Sequence, residues 1–189
     1  MGNEKAFYDE IKAEIEAQVK SSFLSLNKRE LYVHWGIGSL KTNLQRIIIE
    51  NPIQCKCIIE FAERVPQLFL DIFALITDGN NYGLLILEVK DLKAVALREW
   101  SQLVGYCLVS GARYGLLVNV DNDGSKNFIQ MLNNERHLSH IQTIVNFEKR
   151  EHLLGFMKWN SITKSFEYST RGAIKTLSGL SELISSDFR

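Results

Sequence analysis

Asp71, Glu88 and Lys90 are the hardest residues in this chain to explain as packing. They stand in the run LFLDIFALITDGNNYGLLILEVKD, Leu68 to Asp91, which is apolar on both sides of a polar turn. A charge among apolar strand residues is costly unless it is paired or neutralised. The turn is DGNN, Asp78 to Asn81, and Gly-Asn is a favoured two-residue hairpin loop. With Gly79 and Asn80 as the loop, Asp78 pairs with Asn81, and counting back sets Asp71 opposite Glu88. Opposed residues of an antiparallel pair share a face, with Cβ atoms roughly 4.5–5.5 Å apart. Lys90, two residues beyond Glu88, shares that face too. Two carboxylates and one ammonium are therefore expected to converge. Opposed carboxylates repel, and a divalent cation resolves the repulsion. Two carboxylates, water and a substrate phosphate make a hard oxygen site suited to Mg²⁺ or Mn²⁺. A lysine beside it stabilises the attacking water or the charge developing on phosphate. The plainer reading of the same three residues is a buried ion-pair triad.

The elements that must position them follow from periodicity. Phe7, Ile11, Ile15, Val19 and Phe23 repeat every four residues, which predicts a helix over about residues 3–22. Its stripe is expected to dock on the core or on a second subunit, giving a homodimer. LYVHWGIG is a short aromatic run ending in glycines. SLKTNLQRIIIEN reads as a helix with Ser39 as N-cap, stopped at Asn51-Pro52. Three strand-like runs come next, 54–62, 67–76 and 82–90. The segment from about 94 to 112 turns helical, with Leu97, Trp100, Val104, Cys107, Leu108 and Gly111 on one face. YGLLVNV is a buried strand, 127–134 a short helix, and GFMKWNSITKSFEYS a hairpin turning near Ser161. A strand–helix–strand unit implies a parallel pair with a right-handed crossover. The fold class is therefore α/β, a mixed sheet flanked by helices.

Pro66 to Asp71, then 16 residues, then Glu88-Val89-Lys90 resembles the motif of the PD-(D/E)XK nuclease superfamily. The predicted order, helix, three strands, helix, strand over about residues 39–120, is similar to that family's core. Here four residues stand between proline and aspartate, which the family's motif has adjacent. The resemblance implies a restriction-endonuclease-like fold and a Mg²⁺- or Mn²⁺-dependent deoxyribonuclease. Asp71 and Glu88 would then be metal ligands and Lys90 the assisting cation. Gln102 and Tyr106, at i and i+4 in EWSQLVGYCL, resemble the Q-x-x-x-Y element of RecB-like nucleases, which implies a supporting, substrate-contacting pair. Relatives often carry a further acid on the first core helix, for which Glu50 and Glu60 are the candidates. The alternative is a nuclease fold retained without turnover, as a nucleic-acid-binding or assembly protein.

The bulk properties set limits. A chain of 189 residues suits one domain, read as a core at about 39–120, an N-terminal helical extension at 1–30 and a C-terminal extension at 121–189. Lys plus Arg and Asp plus Glu balance at 22 each, which weighs against a wholly basic DNA-gripping surface. Local contacts remain open. Lys158, Lys164, Arg171 and Lys175 interleave with Trp159, Phe166 and Tyr168, a mixture that suits phosphates and stacked bases. Three cysteines without a C-x-x-C spacing read as reduced core thiols. His137 and His140 share a spacing that zinc can use, but no third ligand accompanies them, so they are read as surface residues. No apolar stretch reaches membrane-spanning length, and the expected location is cytoplasmic.

Overall fold

The computed structural model describes residues 4–145, 147–167 and 172–189. The chain runs α1 (Tyr8–Asn27), β1 (Tyr32–Ser39), α2 (Leu40–Glu50), α3 (Ile59–Arg64), β2 (Phe69–Thr77), β3 (Tyr82–Lys90) and α4 (Leu97–Ser110). It continues through β4 (Tyr114–Val120), α5 (Lys126–Asn134), β5 (His140–Val145), β6 (Glu148–Asn160), β7 (Ser165–Glu167) and α6 (Leu177–Asp187). The strands form one mixed sheet in the order β1-β2-β3-β4-β6-β5, with β7 on β6. β1, β2 and β3 are antiparallel neighbours, whereas β3, β4 and β6 run parallel. This is an α/β architecture. Among the described residues no helix is long and apolar enough to cross a membrane.

Both sheet faces are covered, which is why β2, β3 and β4 are nearly continuous apolar runs. Ile72, Ala74, Ile76, Leu85 and Leu87 face one layer with Ile11, Ile15, Val19 and Phe23 of α1 and Leu180 and Ile184 of α6. Phe73, Leu75, Leu84 and Ile86 face the other, with Leu44 of α2, Ala62 of α3, Trp100 and Leu103 of α4 and Phe128 of α5. Ser39 starts a helix as expected, and a second serine cap appears at α5. Ser39 caps α2 by accepting from the Thr42 N–H, and Ser125 caps α5 through the Phe128 N–H.

Residues 54–62 are not a strand. A short 3₁₀ turn at Lys56–Ile58 leads into α3. The alternating Cys55 and Cys57 suggested period two, but Cys55, Ile58, Ala62 and Val65 are the buried set, and their spacing is helical. The aromatic run, as β1, is the third antiparallel strand in their place. In α4 the buried face is Trp100, Leu103, Cys107 and Ser110, while Leu97 and Leu108 are exposed. The apolar stripe of α1 is spent inside the chain. Phe23 meets Phe188 edge-on, and Ser181 Oγ donates to the Val19 carbonyl at 3.3 Å. That stripe is therefore not available to a second copy, and α1 is part of the core rather than an appendage.

Candidate active site

The β2–β3 ladder pairs Thr77 with Tyr82 and continues step by step to Ile72 with Leu87. The next positions outward are Asp71 and Glu88, the register the turn predicts. The turn is tied as that register needs: the Asn80 and Asn81 N–H groups both donate to Asp78 Oδ1, at 3.0 and 2.8 Å. Asp71 lies near the start of β2, and Glu88 and Lys90 near the end of β3. The cluster thus sits at the sheet end where the parallel strands β3 and β4 finish, the usual place for ligands in such sheets.

Here β2 departs from simple alternation. Leu70 and Phe73 lie in one layer and Ile72 in the other, and the β1–β2 register shifts between Gly36 and Gly38. Two residues, Asp71 and Ile72, oppose the single Ile37. A bulge of this kind re-aims a side chain. Gly36 permits the approach, since a Cβ on it would lie 2.2 Å from the Phe73 ring.

Lys90 joins the two acids. Its ammonium is ion-paired with Glu88 Oε1 and lies 3.7 Å from Asp71 Oδ2. Glu88 is only 1% exposed. Glu88 Oε2 and Asp71 Oδ2 are buried and accept no hydrogen bond in the structure. Burial pushes the Glu88 carboxyl up to about 7; Lys90 opposes the rise and Asp71 adds to it. For Lys90, burial works against the charge, but Glu88 and then Asp71 outweigh it and hold the ammonium above the ordinary lysine range. The result is a fixed cation beside a carboxylate poised between its two forms. Two hard oxygens that accept no hydrogen bond, beside it, fit the donor chemistry of a divalent cation that keeps water and takes substrate oxygens. Among the described residues no group of three or more His, Cys, Asp or Glu is placed to hold a metal ion.

The sequence reading missed Tyr8. It is 4% exposed at the start of α1. Burial and then the Asp71 charge raise its hydroxyl pKa. The charge of Glu4, one turn earlier, acts on Tyr8, Glu88 and Lys90. The available signal was a polar-tipped aromatic one residue from Phe7, continuing the stripe at Ile11.

The other candidates divide. Glu50 and Glu60 are not drawn into the cluster. Glu50 ends α2 in a pair with Arg46 at 3.0 Å, and Glu60, helical rather than mid-strand, pairs with Arg64 at 3.3 Å. Gln102 Nε2 donates to Tyr106 Oη at 2.9 Å on the exposed side of α4. Among the described residues, no hydrogen bond or ion pair links them to the triad. Lys158 is the basic residue best placed, because Lys90, Asn119 and Lys158 are register partners across β3, β4 and β6. Its ammonium pairs with Glu167 at 2.9 Å. Lys164 pairs with Glu10 of α1 at 2.6 Å. Lys175 is exposed and lines a cleft of about 650 Å³ with Arg113, Arg136 and His140. Arg171 and Tyr168 lie outside the described residues. Trp159 and Phe166, expected to stack on bases, are instead buried against each other at 5.0 Å. His137 is exposed, but His140 is a half-buried β5 residue 3.6 Å from Glu151.

Comparison with protein-family models, curated proteins and solved structures finds no match for this chain.

Proposed function

We propose that this chain is a divalent-metal-dependent nuclease of the PD-(D/E)XK type, with a restriction-endonuclease-like core formed by α1, β1–β3, α4 and β4. The observation that carries the reading is the Asp71–Lys90–Glu88 cluster, with Glu88 buried and the other two half-buried, at the carboxyl end of a parallel strand pair, with acid oxygens that accept no hydrogen bond. Asp71 and Glu88 would hold Mg²⁺ or Mn²⁺. A bound divalent cation supplies Lewis-acid stabilisation of the phosphate and a water acidified toward neutral pH. Lys90 holds positive charge where the phosphorane oxygens develop theirs. Gln102 and Tyr106 present a paired amide and phenol from α4 as a substrate contact. Lys158, in the same sheet row as Lys90, meets a flanking phosphate of DNA.

The test is incubation with single-stranded, duplex and branched DNA, and with RNA, in Mg²⁺ or Mn²⁺ and in chelator. Cleavage that chelator abolishes, and that Glu88→Gln and Lys90→Ala both lose, supports the reading. Tight binding of one nucleic acid with no turnover under any condition replaces it with a binding module. Neither binding nor turnover leaves an ion-pair triad that serves the fold.

A further inference from the structure

We infer that the cleft of about 650 Å³ lined by Arg113, Arg136, Lys175 and His140 is a binding site for a phosphate monoester with an organic body. The inference stands apart from the nuclease reading. Leu153 on the cleft wall is in the row of Tyr114 and Leu85, and Lys158, in the row of Lys90, comes five positions later. At about 3.3 Å per residue the two rows are roughly 17 Å apart along the strands. The cleft contains two acids, and both are spent on Arg113. Asp187 Oδ1 accepts from Arg113 Nη2 at 2.7 Å, and Oδ2 accepts from Arg113 Nε and from the hydroxyl of buried Tyr114. Glu151 Oε2 accepts from the same Nη2 at 3.4 Å, and Oε1 accepts from Gln142 at 3.2 Å. The guanidinium is thus fixed before any ligand arrives, and among the described residues its Nη1 makes no hydrogen bond. Arg136 and Lys175 have no acid partner among the described residues, since the acids of the cleft are turned to Arg113. His140 Nε2 is buried without a hydrogen bond, 3.6 Å from Glu151 Oε1. Arg113, Arg136 and Lys175 bring three positive charges against the two negative ones of Glu151 and Asp187, a surplus of one before any proton on His140. A phosphate monoester carries about −1.5 to −2 charge and three strong acceptor oxygens, which matches cationic donors on separate side chains better than a single carboxylate does. Leu132, Leu153 and Leu183 supply an apolar wall for the organic body, and the volume falls in the range of about 300–1,000 Å³ usual for small-molecule sites.

Phenyl phosphate is the probe, with phenyl sulfate as its singly charged analogue. Binding is read by calorimetry in chelator, so that no metal at Asp71 or Glu88 takes part. Phenyl phosphate is expected to bind saturably, and phenyl sulfate about tenfold more weakly. Arg136→Ala and Lys175→Ala, both at exposed positions, should each weaken phenyl phosphate about tenfold, as loss of one charged hydrogen bond does, with circular dichroism unchanged. Lys56→Ala removes an exposed charge outside the cleft and should bind like wild type. No saturable binding to wild type at millimolar phenyl phosphate overturns the inference, and so do wild-type affinities in Arg136→Ala and Lys175→Ala. An equal loss in Lys56→Ala, or equal affinity for phenyl sulfate, makes the cleft a general anion-attracting surface and overturns it too. Displacement by single-stranded DNA separates the sources of the phosphate. A strand that displaces phenyl phosphate only when it carries a 5′-phosphate supports the site and makes a strand end its ligand. A strand that displaces nothing in either form supports the site and makes its ligand a small molecule. Displacement by 5′-hydroxyl and 5′-phosphate strands alike overturns the inference in favour of a nucleic-acid track. None of these results decides the nuclease reading, whose test is cleavage in the presence of metal.

Discussion

Glu88 carries the largest electrostatic conflict at the residue scale. Its carboxyl titrates near 4.5 in the unfolded chain and at about 7 when folded, with burial as the main cause. The folded state therefore binds the proton more tightly. The associated stability is fully present below pH 4.5 and is lost as pH rises through 7. At about 1.4 kcal/mol per pH unit, the loss amounts to roughly 3 kcal/mol. Metal-free protein should melt at lower temperature at pH 8 than at pH 5, and Glu88→Gln should flatten that slope. His34, whose pKa burial lowers, acts in the opposite sense at the acid end of this window, so the difference between wild type and variant is the quantity to measure. Equal slopes in the two proteins would show that Glu88 is not a desolvated acid. Lys90 titrates far above this window. Lys90→Ala should cut cleavage about 10²–10³-fold, as removal of a single preorganised charge does in other sites. It should leave circular dichroism unchanged, and a fully active variant would make Lys90 a charge-balancing residue only.

Among the elements, those defined by a single strong local signal were legible. The DGNN turn set the β2–β3 register, Ser39 and Asn51-Pro52 bounded α2, and the helical period of 94–112 gave α4 and hence the parallel β3–β4 pair. What failed was a choice between periods over a short run. CKCIIEFA alternates as a strand would, but its buried residues step by three and four. Two features of the site left no reliable local trace. The bulge at Asp71 arises from how Gly36 and Gly38 meet β2, and Tyr8 approaches from an element more than sixty positions away in the chain. The bulge invites its own test. Gly36→Ala must displace the Phe73 ring, and overpacking of this kind costs about 1–3 kcal/mol, measurable as a lower urea midpoint. Lys158→Ala tests the row that runs from Lys90 across the sheet. Loss of one phosphate contact should weaken all DNA sequences alike and reduce the salt slope of binding by about 1. An unchanged slope would leave Lys158 as the partner of Glu167 alone.

For the whole molecule, the site joins parts that are distant in sequence. Asp71 lies near the start of the second strand of the sheet, Glu88 and Lys90 near the end of the third, and Tyr8 arrives on α1, which packs against α6. A ligand that bridges Asp71 and Glu88 should therefore stabilise the folded molecule as a unit, since the unfolded chain does not assemble this pair. The two carboxylates repel across one ammonium, and a divalent cation removes that repulsion while occupying oxygens that accept no hydrogen bond. At a free metal concentration 100 times the dissociation constant, the gain is about 2.7 kcal/mol. For a chain of this size each kcal/mol moves the melting temperature by about 2–4 °C, so Mg²⁺ or Mn²⁺ at saturation should raise it by roughly 5–10 °C. Asp71→Asn keeps the side-chain shape but halves the anionic charge facing the cation, and should lose most of that shift. Na⁺ at matched ionic strength should give none of it, which separates binding from general screening. Equal shifts in wild type and Asp71→Asn would place the bound metal somewhere other than this carboxylate pair, and no shift with either metal, joined to an absence of calorimetric heat, would leave the pair as an internal salt bridge.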